Sequence, residues 1–325
     1  MAVMNMVQAI NSALAFKLED DENVVVYGED VGVEGGVFRV TEGLQKKYGR
    51  ERVFDTPLAE SMIAGTGVGM SAMGLRPVVE MQFSGFIYPA FNQIISHVSR
   101  LRTRTRGHMH VPMVIRAPYG GGVRALEMHS ESMEAIYGHI PGLKVVMPAT
   151  PYDAKGLMIS AIEDNDPVMF LEPKKVYRAI KQDVPEEPYR IKLGTAKVVQ
   201  EGEQITVVAY GAMLKTVQQG VALAKKEGIS IELIDLRTIF PMDTDTVMDS
   251  VKKTGRLLVV HEGPQSFGTA AELMAQANEE AFLYLEAPPT RLTGYDTIVP
   301  LPMGEDLYFP TPERVHYEIK KVVEF

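Results

Sequence analysis

The 325-residue sequence has no cysteine, no apolar run as long as a membrane span, and fewer basic than acidic side chains. The absence of cysteine excludes disulfides, thiolate metal ligands and a cysteine nucleophile, and it is compatible with a reducing compartment. The net charge of −9 argues against a nucleic acid as the main partner. The first residues also lack the basic segment and long apolar stretch of a signal peptide. We therefore expect a cytoplasmic protein that binds neither a nucleic acid nor a membrane.

Four arginines form the one basic cluster, at Arg100, Arg102, Arg104 and Arg106. The cluster is either a site for phosphate or another acidic ligand, or a solvated or interface segment paired with acids. The second interpretation is favoured, because no aromatic platform accompanies the arginines. The His-Met-His segment at 108–110 lacks a third ligand at a suitable spacing, so the sequence predicts no metal site there.

Short β-branched runs alternate with helical patterns along the chain. The predicted strands are Val24–Tyr27, Val78–Phe83, Val111–Arg116, Lys144–Met147, Val168–Leu171, Ile205–Tyr210, Ile229–Asp235, Leu257–His261 and Thr290–Leu292. The predicted helices are Met6–Leu18, Leu58–Met73, Phe86–Leu101, Tyr152–Glu163, Leu214–Glu227, Thr244–Lys253, Phe267–Leu285 and Pro312–Val323. Continuous apolar strands separated by helices are typical of parallel sheets with helices on both faces, so the predicted fold class is α/β.

A charged, proline-punctuated segment, Asp183–Pro188, interrupts this alternation. Neither a helix nor a central strand continues through it. A chain of this length is also too long for one ordinary core. We therefore predict two doubly wound α/β domains, at residues 1–183 and 199–325, joined by a linker at 184–198.

The segment Val53–Glu60 places one carboxylate near the first turn of an apolar helix. Thr56 is a candidate N-cap, and Pro57 suits the first helical position, where its missing N–H has no intrahelical partner to lose. The helix that follows is almost free of charge, which predicts burial on nearly every face. Glu60 is therefore either an acid that complements the helix dipole or a partly desolvated acid with a chemical role. The local sequence leaves both interpretations open.

Two glycine-rich segments resemble nucleotide-binding loops only superficially. Gly65, Gly67 and Gly69 lie inside the predicted helix and do not join a strand to a helix, so a packing or subunit-contact face is favoured. The loop Gly28–Gly36 follows a strand but carries three carboxylates, which would repel phosphate. A structural turn or an interface loop is the favoured interpretation there.

The segment after the strand at Val111–Arg116 carries three consecutive glycines and then His129. A glycine run is entropically costly, so it indicates close backbone approach or mobility. His129 has a serine neighbour and nearby carboxylates, which suit general acid–base catalysis. A loop histidine with a structural hydrogen bond is the alternative, and the local sequence favours it. Ser71 lies in mid-helix without the closing glycine of a nucleophile elbow, so a serine hydrolase is only weakly supported.

Six motifs then occur in a familiar order: Gly28-Glu29-Asp30, Asp55–Glu60, Glu80–Phe83, His129-Ser130, Thr150–Leu157 and Asp235–Thr238. Together they resemble the beta subunit of the 2-oxo acid dehydrogenases. That subunit belongs to the thiamin-diphosphate-dependent, decarboxylating component of these complexes. The similarity extends over nearly the whole chain. It implies a thiamin pyrimidine-binding domain followed by a transketolase C-terminal domain.

The resemblance implies a role for each of five side chains. Glu60 would face N1′ of the aminopyrimidine ring of thiamin diphosphate and exchange a proton with it. A buried carboxylic acid suits this role, because an exposed one would be ionised and hydrated. Phe86 would pack on the ring, and Leu58 and Gln82 would line its pocket. His129 would lie near the reacting carbon, orienting the substrate and moving protons during acyl transfer.

The resemblance also implies metals and partners. Relatives hold potassium mostly through backbone carbonyls, and the matching positions here are Met113, Ala161, Asp164 and Asp166. Single-chain thiamin enzymes hold the magnesium diphosphate with a Gly-Asp-Gly segment and a later asparagine, and this sequence has no Gly-Asp-Gly. The implied solution is an alpha subunit that holds Mg²⁺ and the diphosphate, in a heterotetramer of two alpha and two beta chains.

The implied activity is the decarboxylation of a 2-oxo acid and transfer of the acyl group to a lipoyl domain of the acyltransferase core. The segments Leu171–Arg178 and Thr293–Thr297 favour branched-chain substrates over pyruvate, with acetoin as a further alternative. Two other classes of function stay open. One is a thiamin-independent enzyme that uses His129 with Ser71, and the other is a catalytically silent scaffold subunit.

Overall fold

Fourteen β-strands and twelve α-helices alternate along residues 1–325, all of which the computed structural model describes. The strands are β1 (Ala2–Met4), β2 (Val24–Gly28), β3 (Val53–Asp55), β4 (Arg76–Glu80), β5 (Val114–Tyr119), β6 (Lys144–Val146), β7 (Val168–Pro173), β8 (Gln182–Val184), β9 (Lys197–Gln200), β10 (Ile205–Ala209), β11 (Ile231–Asp235), β12 (Thr238–Phe240), β13 (Leu257–Val260) and β14 (Thr290–Leu292). The helices are α1 (Met6–Asp20), α2 (Leu44–Tyr48), α3 (Glu60–Ala72), α4 (Phe91–Gln93), α5 (Leu101–Arg104), α6 (Glu134–Gly138), α7 (Pro151–Glu163), α8 (Ala212–Lys226), α9 (Thr244–Thr254), α10 (Thr269–Glu280), α11 (Glu305–Tyr308) and α12 (Pro312–Val323). None of the helices combines the length and the apolar character needed to cross a bilayer.

The strands form two large, mostly parallel sheets. The first has the order β12-β6-β7-β5-β4-β2-β3, in which only the β12–β6 pair is antiparallel. The second has the order β14-β13-β10-β11-β9, in which only β9 is antiparallel to its neighbour. A short antiparallel ribbon joins β1 to β8. The predicted α/β class with parallel sheets is confirmed.

Strand β2 shows why the first sheet is covered on both faces. Its side chains alternate between two cores: Val25 and Tyr27 pack with Ile63 of α3, whereas Val24 and Val26 pack on the side of α1 and α7. Helices on both faces leave only the strand ends free. The carboxyl ends of β2, β3, β4 and β5 therefore meet at one edge, the usual location of a ligand site in such sheets.

Most predicted elements occur within a few residues of their expected bounds, and the predicted α12 and β14 match residue for residue. The predicted helix Phe86–Leu101 is wrong. The chain there forms short 3₁₀ turns, α4, a π-helical turn at Ile94–Val98 and then α5. Pro89 lacks an N–H and fixes its own φ, which favours short turns over a continuous helix. The predicted helix Phe267–Leu285 also ends early, at Glu280, before a 3₁₀ turn.

The predicted start of α3 is wrong as well. Helix α3 begins at Glu60 with Ala59 as its N-cap and has no side-chain cap. Thr56 instead follows β3, and its N–H donates to the carbonyl of Gly28 at 3.0 Å. Parallel pairing of β3 with β2 thus keeps this residue extended. The expected burial on nearly every face is also wrong, since a face that includes Met62 and Gly69 is open in this chain.

The two halves of the chain share the first sheet. Strand β12 comes from the C-terminal half but pairs with β6 of the N-terminal half. The predicted linker begins where β8 ends, at Val184, and the second sheet starts with β9. The division at residues 183 and 198 stays a prediction.

Candidate active site

Glu60 is the first residue of α3, at the carboxyl edge of the first sheet. Its side chain is only 8% exposed, and it forms no hydrogen bond or ion pair with any other residue of the chain. The unpaired N–H groups of a helix N-terminus favour a negative charge there. Burial without a partner is nevertheless costly for a carboxylate. Glu60 is therefore a largely buried acid with no partner among the side chains of this chain.

Glu29, which follows β2 directly, is a second buried acid beside Glu60. It is 6% exposed and also lacks a hydrogen-bond partner. Burial, and then the negative charges of Glu60 and Asp30, raise the pKa of Glu29 to about 7. Near neutral pH one proton is thus held close to Glu60. The sequence interpretation missed Glu29 because it judged the loop only as a phosphate cradle.

The other acids at this edge are paired, which distinguishes them from these two. Asp55 accepts hydrogen bonds from the N–H groups of Gly32 and Val33, at 2.6 and 3.3 Å. Asp30 accepts a hydrogen bond from Gln82 Nε2 at 3.0 Å. The Glu80 carboxylate pairs with the buried Arg116 guanidinium, as does Glu172 of β7. Five acids therefore lie at this edge of the sheet: Glu29, Asp30, Asp55, Glu60 and Glu80. Of these, only Glu29 and Glu60 have no hydrogen-bond or ion-pair partner.

His129 lies in an aromatic cluster with the two phenylalanines that follow β4. Its ring centroid is 4.4 Å from that of Phe83 and 4.8 Å from that of Phe86. Its Nδ1 lies 2.9 Å from the carbonyl oxygen of Glu127, to which a protonated Nδ1 donates. That tautomer leaves Nε2 free to accept or deliver a proton. The structural hydrogen bond and an available ring nitrogen thus coexist in one side chain.

The catalytic and cofactor-binding residues predicted from the sequence lie at this edge of the sheet, and all but Leu58 are at least partly buried there. Gln82 contacts Asp30, next to Glu29, and Phe86 contacts His129. The second residue of α3, Ser61, donates its hydroxyl to the carbonyl of Pro89, which brings Glu60 towards the turn that follows Phe86. Leu58 lies at the rim and is 77% exposed. A pocket that Leu58 lines is open on that side in this chain.

The segment that carries His129, residues 120–131, is called here the His129 loop. It is closed at its base by a hydrogen bond of 2.9 Å from Gly120 N to the Glu131 carbonyl. Ser84 Oγ donates to the same carbonyl at 2.9 Å. Lys174 Nζ donates to the His129 carbonyl at 2.6 Å and also to the Gly120 carbonyl. The loop backbone is therefore held from the N-terminal half at both its base and its His129 end.

The four predicted potassium ligands lie at the opposite edge of the sheet, before β5 and around the end of α7. The two acids among them already form ion pairs with basic side chains: Asp164 pairs with Lys144 at 2.6 Å, and Asp166 pairs with Arg102 at 2.5 Å. The carbonyl of Met113 accepts a hydrogen bond from Val168 N, and that of Asp164 from Arg76. No group of three or more His, Cys, Asp or Glu side chains in the chain could hold a metal ion. A potassium site built from Met113, Ala161, Asp164 and Asp166 through carbonyls stays a prediction.

The structure does not form the serine–histidine pair that a hydrolase needs. Ser71 lies in the last turns of α3, and its buried hydroxyl has no hydrogen-bond partner. A nucleophilic serine requires a base within hydrogen-bond reach. The geometry therefore gives that alternative no support.

The chain matches two family models and close relatives over its full length. Residues 2–180 match the transketolase pyrimidine-binding domain, and residues 194–315 match the transketolase C-terminal domain. It is 56% identical to the pyruvate dehydrogenase E1 component subunit beta of Acholeplasma laidlawii, over 100% of this chain and 99% of the relative. It is 50% identical to the protein of that name from Bacillus subtilis, over 100% of both chains.

A solved structure described as a split gene transketolase, an inactive beta4 tetramer, has the same fold. It superimposes with a TM-score of 0.81 at 20% identity, over 99% of both chains. The likeness supports the fold, and the sequence relatives support the family. The chain therefore belongs to the beta subunits of the thiamin-diphosphate-dependent 2-oxo acid dehydrogenases, built from a transketolase pyrimidine-binding domain and a transketolase C-terminal domain.

Proposed function

We propose that this chain is the beta subunit of a pyruvate dehydrogenase. The relatives at 56% and 50% identity both carry that name. The preference for branched-chain substrates, which two short segments of the sequence suggested, is not supported by these relatives. The first of these segments includes Lys174, which binds the His129 carbonyl, but neither segment supplies a residue of the pocket that the resemblance implies. Pyruvate is the substrate that the comparisons favour.

The unpartnered carboxyl of Glu60 is the observation that carries the proposal. Thiamin diphosphate, when bound, supplies the electron sink that decarboxylation of a 2-oxo acid requires. The residues at this edge fit its pyrimidine end, because Glu60 lacks a partner for its acid and Phe86 offers an aromatic face. Glu60 would hold and move a proton at the ring nitrogen N1′. Glu29, whose pKa burial raises to about 7, would keep a proton within reach of that site.

His129 would act on the other side of the same site. Its Nε2 is free when Nδ1 donates to the Glu127 carbonyl. A histidine with one ring nitrogen free can pass a proton to or from a bound group. We assign it to orienting the substrate and to proton transfer as the acyl group leaves for the lipoyl domain. Phe83 and Phe86, which contact its ring, would exclude water from that side.

The chain supplies only part of a cofactor site. Its sequence has no Gly-Asp-Gly segment, which holds the magnesium diphosphate in single-chain thiamin enzymes, and Leu58 at the rim is exposed. We propose that an alpha subunit binds Mg²⁺ and the diphosphate, in an assembly of two alpha and two beta chains. A lipoyl acyltransferase core would accept the acyl group. The cytoplasmic location stays a prediction.

Glu60→Gln tests the proposed role of the acid. The amide keeps the shape of the side chain but cannot take up and release a proton. We expect thiamin-dependent decarboxylation by the alpha–beta assembly to fall by about 10²- to 10⁴-fold, the usual contribution of a general acid–base group. Glu34→Gln, at an exposed acid in the neighbouring loop, is the matched control. Full activity of Glu60→Gln would favour the scaffold interpretation.

Two binding and substrate assays test the rest. Calorimetric titration of thiamin diphosphate with magnesium should show negligible binding to this chain alone and tight binding to its mixture with the alpha subunit. Tight binding to the isolated chain would contradict the split site. Turnover of pyruvate should exceed that of 3-methyl-2-oxobutanoate in kcat/KM, and the reverse order would restore the branched-chain assignment. Activity without thiamin diphosphate would contradict the proposed chemistry.

A further inference from the structure

Buried acids of the C-terminal half surround the glycine run at the start of the His129 loop. A Cβ added to Gly121 would lie 2.2 Å from the ring of Phe309, and one added to Gly120 would lie 2.6 Å from Glu262 Oε1. Gly120 and Gly122 also have positive φ angles, of 75° and 99°. A Cβ added to Gly122 would lie 2.7 Å from Lys175 Cβ. Close approach of the C-terminal half therefore explains Gly120 and Gly121, and close approach of Lys175 explains Gly122.

Glu305, the first residue of α11, makes the most specific of these contacts. It is 1% exposed. Its Oε1 accepts a hydrogen bond from Gly122 N at 2.6 Å, and its Oε2 accepts one from Ser130 Oγ at 3.1 Å. One carboxyl group thus joins the two arms of the loop near its base, and Ser130 is the residue next to His129. A buried acceptor that loses such hydrogen bonds is left unsatisfied at a cost, so these contacts hold the loop firmly.

Glu262 and Lys174 complete the buried contacts at the base of the loop. Glu262 Oε2 accepts a hydrogen bond from Gly121 N at 3.3 Å. Lys174, which donates to the loop carbonyls of Gly120 and His129, lies in the field of Glu262 and Glu305. Burial lowers the pKa of Lys174 to about 8, although these acids oppose the change. The loop is therefore held between a lysine of one half and carboxylates of the other.

The backbone of the loop needs such support. Arg124 and Met128 adopt positive φ angles of 49° and 67°, which strain the backbone of residues with a Cβ. Such strain persists only when surrounding contacts determine the conformation. An exposed ion pair between Arg124 and Asp306 also joins the loop to α11, but exposed pairs contribute little. The buried Glu305 contacts to Gly122 and Ser130 therefore hold the two arms of the loop on either side of these residues.

We infer that Glu305 is a positioning residue: through Gly122 and Ser130, the C-terminal half sets the place of His129 over Phe83 and Phe86. The inference rests on the proposed function for His129. It assigns a role in the reaction to a domain in which the sequence shows no catalytic constellation. It also predicts that His129 and Glu305 act on the same step, acyl transfer to the lipoyl domain, whereas cofactor binding near Glu60 does not depend on Glu305.

Hydrogen exchange of the full chain tests the contact independently of any activity. In Glu305→Ala we expect amides of residues 120–131 to exchange at least 10-fold faster, with little change elsewhere. Glu305→Gln should restore protection, because its oxygen can accept from Gly122 N and its NH₂ can donate to Ser130 Oγ. If Glu305→Ala does not fold, Ser130→Ala removes one of the two bonds and should give a smaller increase. Unchanged exchange in the folded variants would overturn the inference.

Activity of the assembly with an alpha subunit tests the consequence for His129. In Glu305→Ala we expect kcat for acylation of the lipoyl domain to fall at least 10-fold, with the Kd of thiamin diphosphate within twofold of wild type. The double variant with His129→Ala should be no slower than His129→Ala alone, because both act through one side chain. Asp306→Ala, at the neighbouring exposed acid, should lose less than threefold.

The outcomes separate this inference from the proposed function. Faster exchange with unchanged acyl transfer, or additive losses in the double variant, would overturn the role of Glu305 while leaving the enzyme assignment intact. A wild-type assembly without thiamin-dependent turnover would instead contradict the proposed function. In that case the exchange experiment still decides whether Glu305 holds the loop.

Discussion

Gly85 offers a direct test of whether the place of His129 matters. It lies in the turn after β4, between Phe83 and Phe86, and a Cβ added to it would lie 2.0 Å from the carbonyl oxygen of Met128. Ordinary contact begins at 3.4 Å. In Gly85→Ala the Met128 carbonyl must therefore withdraw by about 1.4 Å, the difference between these distances. His129 is the next residue and moves with it.

The expected loss has two parts. Overpacking of this kind costs about 1–3 kcal/mol of stability. A misplacement of about 1 Å at a reacting group costs about 10²-fold in rate. We therefore expect Gly85→Ala to lower the free energy of unfolding by about 1–3 kcal/mol and the rate of acyl transfer by about 100-fold. The variant should still bind thiamin diphosphate, because Glu60 and Glu29 lie outside the contact.

Chemical denaturation of the isolated chain and acyl transfer by the assembly are the two assays. Gly69→Ala is the control for an added Cβ that meets no neighbour within 4 Å, and it should not lower stability. The reasoning would be refuted if the equilibrium constant of unfolding and the rate of acyl transfer both stayed within twofold of wild type. That result would mean that the loop shifts without cost and that His129 need not lie against Phe83 and Phe86.

Two further predictions concern the open face of α3 and a buried acid. Gly69→Ala should stabilise the isolated chain by about 0.5–1 kcal/mol through helix propensity, yet weaken its association with a second chain in sedimentation experiments if that face is an assembly contact. Equal association of wild type and variant would exclude close packing at Gly69. Burial, and then the charge of Glu134, raise the pKa of Glu262 to about 7. The folded chain then keeps a proton that the unfolded chain loses near pH 4.5, so this acid destabilises the fold increasingly as pH rises from about 4.5 to 7. Glu262→Gln should therefore raise Tm at pH 8 and leave it unchanged at pH 4; an equal difference at both values would contradict the assigned pKa.

The parts of the fold that the sequence predicts well carry their signals locally. Helix α12 begins after Thr311, whose hydroxyl accepts a hydrogen bond from Arg314 N at 3.3 Å, with Pro312 in the first turn. A cap and a proline of this kind mark a helix start from sequence alone. The buried strand β2 is likewise a continuous apolar run. Such elements need no information from distant residues.

The elements that the sequence did not predict depend on distant partners. Strand β12 has only three residues and exists as a strand because β6, from the other half of the chain, pairs with it. Thr56 reads locally as a helix cap, but pairing of β3 with β2 extends the chain there instead. Gly85, just before the predicted helix Phe86–Leu101, must lack a side chain because the Met128 carbonyl occupies that space. Tertiary contacts override local preference in each case.

The candidate site divides in the same way. The resemblance predicted Glu60, Gln82, Phe86 and His129, and the structure brings their side chains to one edge of the sheet. Glu29 was missed although the sequence shows that it follows a strand. The three carboxylates of its loop were considered only as groups that would repel phosphate. The relevant question was which acids would lack a partner, and that depends on hydrogen bonds that sequence does not show.

Glu305 marks the limit of what sequence alone could give. Its partner Gly122 lies 183 positions earlier in the chain, and no spacing rule connects a helix start in one domain with a glycine run in another. The glycines did carry a signal, since three in a row indicate that another part of the backbone or a side chain comes close. The sequence could not say which part. Because Glu305 binds on both sides of His129, the two halves of the chain cannot separate without moving the loop, which ties the place of His129 to the packing of the C-terminal domain.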